Sequence, residues 1–94
     1  MSKIRVGVIG TGGIATKRTE HCAENANTEV VAISSKSPER AQAAAEKFGC
    51  RAVPVWQDLV TDPEVDAVVI ATPNTQHFEN ALVALENGKH VEVE

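Results

Sequence analysis

The 94-residue sequence has no tyrosine, one tryptophan and two phenylalanines. So few aromatic residues give no stacking platform for the bases of single-stranded nucleic acid. A cationic excess is missing too. Nine Lys and Arg stand against thirteen Asp and Glu, for a formal charge of -4, whereas a nucleic-acid or anionic-membrane role calls for a basic face. No apolar run approaches the roughly 18 consecutive residues that a membrane span needs. The first residues, Met1-Ser2-Lys3-Ile4-Arg5, pass straight into a strand-like stretch, without the apolar segment or small-residue cleavage site of a targeting signal. The two cysteines, Cys22 and Cys50, are far apart and match no metal or redox spacing. They read as small buried hydrophobes, and the chain as a cytoplasmic one. Neither low-complexity tracts nor internal repeats occur. What remains has the composition and length of one small globular domain over residues 1–94.

What the sequence does have is alternation of short apolar runs with helical patterns. Residues 4–9 (IRVGVI) are β-branched and almost uncharged, as in a strand buried on both faces. A glycine cluster follows, then a helical stretch over 14–25 and a second strand over 30–34. Ser37-Pro38-Glu39 starts the next helix: a capping hydroxyl, a proline with the φ of a first turn, and an acid at the positive dipole end. Ala41, Ala44, Ala45 and Phe48 form its apolar stripe, and Gly49 stands where a left-handed cap belongs. A weak strand over 52–55 contains Pro54, which places it at a sheet edge. A short helical turn over 56–60, a loop at 62–64 and an apolar strand over 67–71 come next. Phe78, Ala81, Leu82 and Leu85 repeat the helical stripe, Gly88 ends it, and 90–94 opens a fifth strand. This order predicts an α/β fold of three layers: a doubly wound parallel sheet of the Rossmann kind, strand order 3-2-1-4-5, with helices on both faces.

Gly10-Thr11-Gly12-Gly13-Ile14-Ala15 follows the first strand directly and opens the first helix, the context in which a G-x-G-x-x-G/A pattern carries meaning. Gly10 permits the tight turn, Gly12 lets backbone approach a pyrophosphate, and Ala15 is small enough for helix and strand to pack closely. The free amides of the helix start then face the diphosphate. Without a ligand, the same pattern is simply a tight turn between strand and helix. Discrimination between nucleotides falls to the end of the second strand, because ligands bind at the carboxyl ends of such strands. Glu29 lies about 20 residues past the glycines, at the spacing of a ribose-binding acid, but it precedes the strand and reads as a loop charge. At the correct end stand Ser35 and Lys36, with Arg40 in the first turn of the next helix. A hydroxyl and two cations with no carboxylate favour a 2′-phosphate, hence NADP(H) over NAD(H), with NAD(H) still open. Both cations also read as ordinary surface charges. At the end of the fourth strand, Thr72-Pro73-Asn74 overhangs the same crevice. Asn74 or Thr75 also reads as the cap of the following helix, and His77 reads equally as a surface residue or as a contact to the cofactor ribose or nicotinamide.

The segments KIRVGVIGTGGIA, SPERAQAAAEKFG and DPEVDAVVIATPNTQH…ALENGKHVEVE together resemble the amino-terminal domain of the Gfo/Idh/MocA oxidoreductases, the family of glucose–fructose oxidoreductase and inositol dehydrogenase. The resemblance spans essentially the whole chain. It implies a Glu-Lys-Pro motif at the fifth strand, of which Glu94 matches the glutamate. The motif's lysine, an acid/base or substrate-orienting group, would follow Glu94, as would a carboxy-terminal α/β domain that supplies most substrate contacts. By resemblance, Ser35, Lys36 and Arg40 follow the pattern of members that prefer NADP. The expectation is therefore a cofactor domain of an oxidoreductase acting on a sugar, polyol or related compound, without a catalytic residue of its own, with no nucleic-acid or membrane partner, and prone to self-association through an uncovered edge. The alternative is a non-catalytic dinucleotide-binding module, a redox sensor or partner-binding domain.

Overall fold

The computed structural model describes residues 3–72 and 74–93, with the side chains of all but 74–78. Five strands and four helices alternate along the chain: β1 (Ile4–Ile9), α1 (Gly13–Glu24), β2 (Thr28–Ser34), α2 (Pro38–Phe48), β3 (Arg51–Ala52), α3 (Trp56–Val60), β4 (Ala67–Ile70), α4 (Asn74–Glu86) and β5 (His90–Val93). The strands form one parallel sheet in the order β3-β2-β1-β4-β5, the predicted doubly wound topology. β1 lies at its centre because every one of its residues from Val6 to Ile9 is buried, a pattern that only a strand covered on both faces can use.

Two apolar clusters sandwich the sheet. On one face Val6, Val8, Val30, Ile33 and Val69 meet Ala15 of α1, with Ala44 and Phe48 of α2 packed alongside. On the other, Ile9, Ala32, Val68 and Ile70 meet Leu59 and Val60 of α3 and Ala84 of α4. Alternation along β1 explains the assignment, with one irregularity. The register steps from Val6↔Val30 to Gly7↔Ala32, so Val31 is an extra residue and joins Ala32 on the same face. Gly7 is required by close approach: a Cβ there would stand 2.6 Å from Leu59 Cδ2, inside the second cluster.

α2 forms as its sequence dictates. The Ser37 hydroxyl accepts from the Arg40 N–H at 3.3 Å, Pro38 occupies the first turn, and Gly49 closes the helix at φ 67°. Three expectations are corrected. The third strand is only two residues long; Val53 N–H still donates to Ile33 O at 2.8 Å, but Pro54 has no N–H with which to extend the ladder. Its edge position holds. Glu29 belongs to β2 rather than to a loop, though to its amino end. Phe78 of the expected stripe lies outside the described side chains; among those described, the face that α4 turns inward is carried by Asn80 and Ala84, both buried, with Ala81 and Val83 half-buried, while Leu82 and Leu85 point outward at 46% and 60% exposure. Apolar periodicity misses this face because its buried anchor is polar. Asn80 Oδ1 accepts from the Thr72 hydroxyl at 2.8 Å, and that bond satisfies an amide oxygen otherwise costly to bury. Among the described residues no helix is long and apolar enough to cross a membrane.

Candidate functional site

At the carboxyl ends of the strands, a crevice of about 680 Å³ opens over the point where the strand order reverses. Its floor is the turn between β1 and α1. Gly10 N–H donates to Ser34 O at 2.8 Å and Ala71 N–H donates to Ile9 O at 2.9 Å, so the turn is strapped to both neighbouring strands. Gly10 takes φ +120°, and a Cβ there would meet Ala71 O at 2.6 Å. Only glycine fits. Gly12 and Gly13 face open space, with nothing within 4 Å of where a Cβ would stand. Ala15 is fully buried beneath them and permits α1 to descend onto β1.

The starts of α1 and α2, both beside this crevice, differ. α2 is closed by the Ser37 cap and by Glu39 in its first turn. α1 begins at Gly12 with no side-chain cap and no acidic residue in its first turn. Its leading amides and positive dipole end are left for an anion.

The structure gathers Gly10, Thr11, Gly12, Gly13, Ile14, Ser35, Lys36, Arg40 and Thr72 around this one crevice. The remaining candidates lie outside what the structure describes: Pro73, Glu94, and the side chains of Asn74 and His77. Thr11 Oγ1 and Ser35 Oγ are 2.9 Å apart, and Ser35 Oγ also accepts from the Ser37 N–H at 3.2 Å. Lys36 and Arg40 are exposed and form no ion pair with any described residue. No carboxylate is among the described lining residues, and Glu29 sits at the opposite end of the sheet beside Arg5 and Asp66.

One wall is not anticipated by the sequence. Pro54, Val55, Trp56 and Gln57, between β3 and α3, line the crevice as well. The rule that ligands bind at carboxyl ends of strands applies to β3 as much as to β2, and would have found them. Lys36 and Arg40 are the crevice's only described ionisable groups, and no His, Cys, Asp or Glu is among its described lining residues. Burial pushes the Cys22 and Cys50 thiols up, which leaves neither as a ready nucleophile. Among the described residues, no cluster of His, Cys, Asp or Glu could hold a metal. The arrangement can bind an anionic, elongated ligand and orient it.

A parallel 3-2-1-4-5 sheet with an uncapped glycine-rich helix start at its switch point defines an NAD(P)-binding Rossmann domain. The family model for the oxidoreductase family with an NAD-binding Rossmann fold matches residues 4–94, and the chain belongs to that family, the Gfo/Idh/MocA oxidoreductases. It is 43% identical over 89 residues to a dTDP-3,4-didehydro-2,6-dideoxy-alpha-D-glucose 3-reductase of Streptomyces violaceoruber, a match that covers 94% of this chain and 26% of that protein. Among solved structures it is similar to KijD10, a 3-ketoreductase from Actinomadura kijaniata in complex with NADP and TDP-benzene. There the TM-score is 0.92 and the identity 39%, over 98% of this chain and 29% of the other. The myo-inositol dehydrogenase from Lactobacillus casei, in complex with NAD(H) and myo-inositol, matches with a TM-score of 0.91 and 30% identity, over 97% and 28% of the two chains. The chain thus spans under a third of the length of these relatives.

Proposed function

We propose that these residues form the cofactor domain of an oxidoreductase that prefers NADP(H) and acts on a sugar, polyol or related hydroxyl or carbonyl compound. The observation that carries the cofactor preference is the end of β2, where Ser35, Lys36 and Arg40 line the crevice with no described carboxylate among them. A 2′-phosphate brings about two negative charges, and two cations that pair with no described carboxylate answer it with charge-assisted hydrogen bonds. A bare 2′-hydroxyl would find no described acid to accept its proton. The similarity to a ketoreductase solved with NADP supports the same preference, and the likeness to an inositol dehydrogenase solved with NAD(H) keeps the second cofactor within reach. The substrate class rests on the relatives: a reductase of a dTDP-linked deoxyglucose, a ketoreductase solved with TDP-benzene and a dehydrogenase solved with myo-inositol.

On this reading Gly10, Thr11, Gly12, Gly13 and Ile14 receive the diphosphate, and Thr72 meets the far half of the cofactor. Resemblance adds Pro73, Asn74, His77 and Glu94 to the same ligand. The cofactor supplies hydride transfer at its nicotinamide. The chain's own residues bind and orient it. The cytoplasm, where Cys22 and Cys50 stay reduced, suits such a domain.

Calorimetric titration of the chain with NADPH and NADH tests the proposal. NADPH is expected to bind more tightly, and Arg40→Ala and Lys36→Ala each to weaken NADPH about tenfold, as the loss of one charge-assisted bond implies, with little effect on NADH. Equal affinity for both cofactors would remove the preference and leave the domain assignment intact. Failure of the folded chain to bind either would remove the cofactor reading itself.

A further inference from the structure

Resting on that reading, the Thr11–Ser35 hydroxyl pair adds a determinant that neither residue provides alone. The two oxygens are 2.9 Å apart, and either can be the donor. Both residues line the crevice, Thr11 from the glycine turn and Ser35 from the end of β2. Ser35 Oγ is already committed on one side, because it accepts from the Ser37 N–H at 3.2 Å. The pair holds two hydroxyl protons, and the bond between them uses one. A single proton is left to offer the ligand.

Where that proton sits decides what each oxygen can do. If Thr11 donates to Ser35, then Ser35 has accepted twice and its own proton points outward, ready for an anionic acceptor. If Ser35 donates to Thr11, its oxygen keeps one free lone pair and can accept from a ligand hydroxyl, and the proton left over is that of Thr11. The first arrangement suits a 2′-phosphate. The second suits a ribose 2′-hydroxyl, which otherwise meets no described carboxylate at the end of β2.

We infer that Thr11 is a positioning residue for cofactor choice: its hydroxyl sets the donor polarity of Ser35, letting one serine donate to the 2′-phosphate of NADP(H) or accept from the 2′-hydroxyl of NAD(H). Thr11 thereby moderates the preference that Lys36 and Arg40 impose. Without Thr11, Ser35 keeps its proton and can still donate to a phosphate, but a serine that accepts from NADH leaves its own proton with no protein acceptor.

Two substitutions should therefore move the ratio of affinities in opposite directions. Thr11→Val preserves shape and removes the hydroxyl. It is expected to weaken NADH by roughly three- to tenfold, the value of one neutral hydrogen bond, while NADPH changes less, so the preference widens. Ser35→Ala removes the donor to the phosphate and is expected to weaken NADPH more than NADH, so the preference narrows. Thr11→Ser restores the hydroxyl and should restore the original ratio. If Thr11→Val does not fold, Thr11→Ala, which carries no β-branch into the turn, gives the same comparison. Equal losses for both cofactors in the Thr11 variants would show that Thr11 serves only the turn or the shared diphosphate and would overturn the inference, with the cofactor reading still standing. A wild-type chain that binds neither cofactor would overturn both.

Discussion

At the amino ends of the strands, Arg5 holds Asp66 by two side-chain bonds of 3.1 Å, Arg51 pairs with Asp62, and Lys89 reaches the carbonyls of Asp62 and Val65 at 2.6 and 2.5 Å. At the carboxyl ends of the same sheet, Lys36 and Arg40 meet no described carboxylate, and the first turn of α1 has no cap. Both ends of the sheet carry cations. They differ in whether the protein itself neutralises them. Where charge is tied to neighbouring backbone and carboxylates, it holds loops between elements. Where it is left open beside unsatisfied amides, it is free to meet the ligand proposed above. Substitutions at the two ends should therefore report on different quantities, stability at one and affinity at the other, and an exception would break the comparison.

The largest effect is expected at the one place where the crevice itself is structural. Gly10→Ala forces a side chain into φ +120° and against Ala71 O at 2.6 Å, and backbone cannot move aside as a flexible side chain can. Strain and clash together should cost about 3 kcal/mol or more in urea unfolding, a large share of the stability of so small a chain. Gly12→Ala, two residues on, meets nothing within 4 Å. Its stability should change by no more than about 1 kcal/mol, the scale of a helix-cap exchange, while NADPH binding weakens as the methyl fills the approach to the α1 amides. If Gly10→Ala unfolds normally and Gly12→Ala does not, the roles of the two glycines are reversed.

Much of this contrast is legible in the order of the amino acids. Strands whose residues are buried on both faces announce themselves by continuous apolar runs, and Ser37-Pro38-Glu39 with Gly49 marks α2 almost to the residue. The glycine turn is legible for the same reason: its chemistry is local. What escapes depends on partners distant in sequence. The inward face of α4 rests on Asn80, a residue that hydrophobic periodicity counts as solvent-facing until the Thr72 hydroxyl is found beside it. The β3–α3 wall of the crevice is reached only through strand order, and the pairing of Thr11 with Ser35 joins residues 24 apart. Gly7 reads as one more residue of an apolar strand, although it is what lets Leu59 sit against β1. Interactions within a turn can be read along the chain; those across the sheet need its register.

A pair of lysines sharpens the comparison at intermediate size. Lys89→Met removes two charged hydrogen bonds that join the loop before β4 to the start of β5. It should cost about 1–2 kcal/mol in chemical denaturation and leave cofactor affinity unchanged. Lys36→Met should do the opposite, altering stability by less than about 0.5 kcal/mol, as ordinary surface changes do, while NADPH binds less tightly. Should Lys36→Met destabilise the chain as much as Lys89→Met, the open cation at the crevice would be structural after all.

The smallest effect is expected at Asp66, and its sign distinguishes a tied charge from a merely nearby one. The Arg5 guanidinium, helped by the Arg5 backbone N–H at 2.9 Å, holds the Asp66 carboxyl down at about 2 from an ordinary value of 3.8. A carboxyl depressed in the folded state stabilises the fold fully above its unfolded pKa and loses that contribution as pH falls through the folded one. The window therefore runs from about pH 4 down to about pH 2. Because the two side chains remain 40% and 39% exposed, water screens the pair and keeps the change modest. Asp66→Asn keeps an acceptor for the backbone N–H but loses the charge. Compared by urea unfolding, the wild type should be the more stable at pH 6, and the gap between the two proteins should close as pH approaches 2. The Arg51–Asp62 pair is present in both and cancels in the difference. A gap that stayed constant across that range would show that Asp66 acts through hydrogen bonding alone, and that its pairing with Arg5 holds the amino ends of β1 and β4 without help from charge.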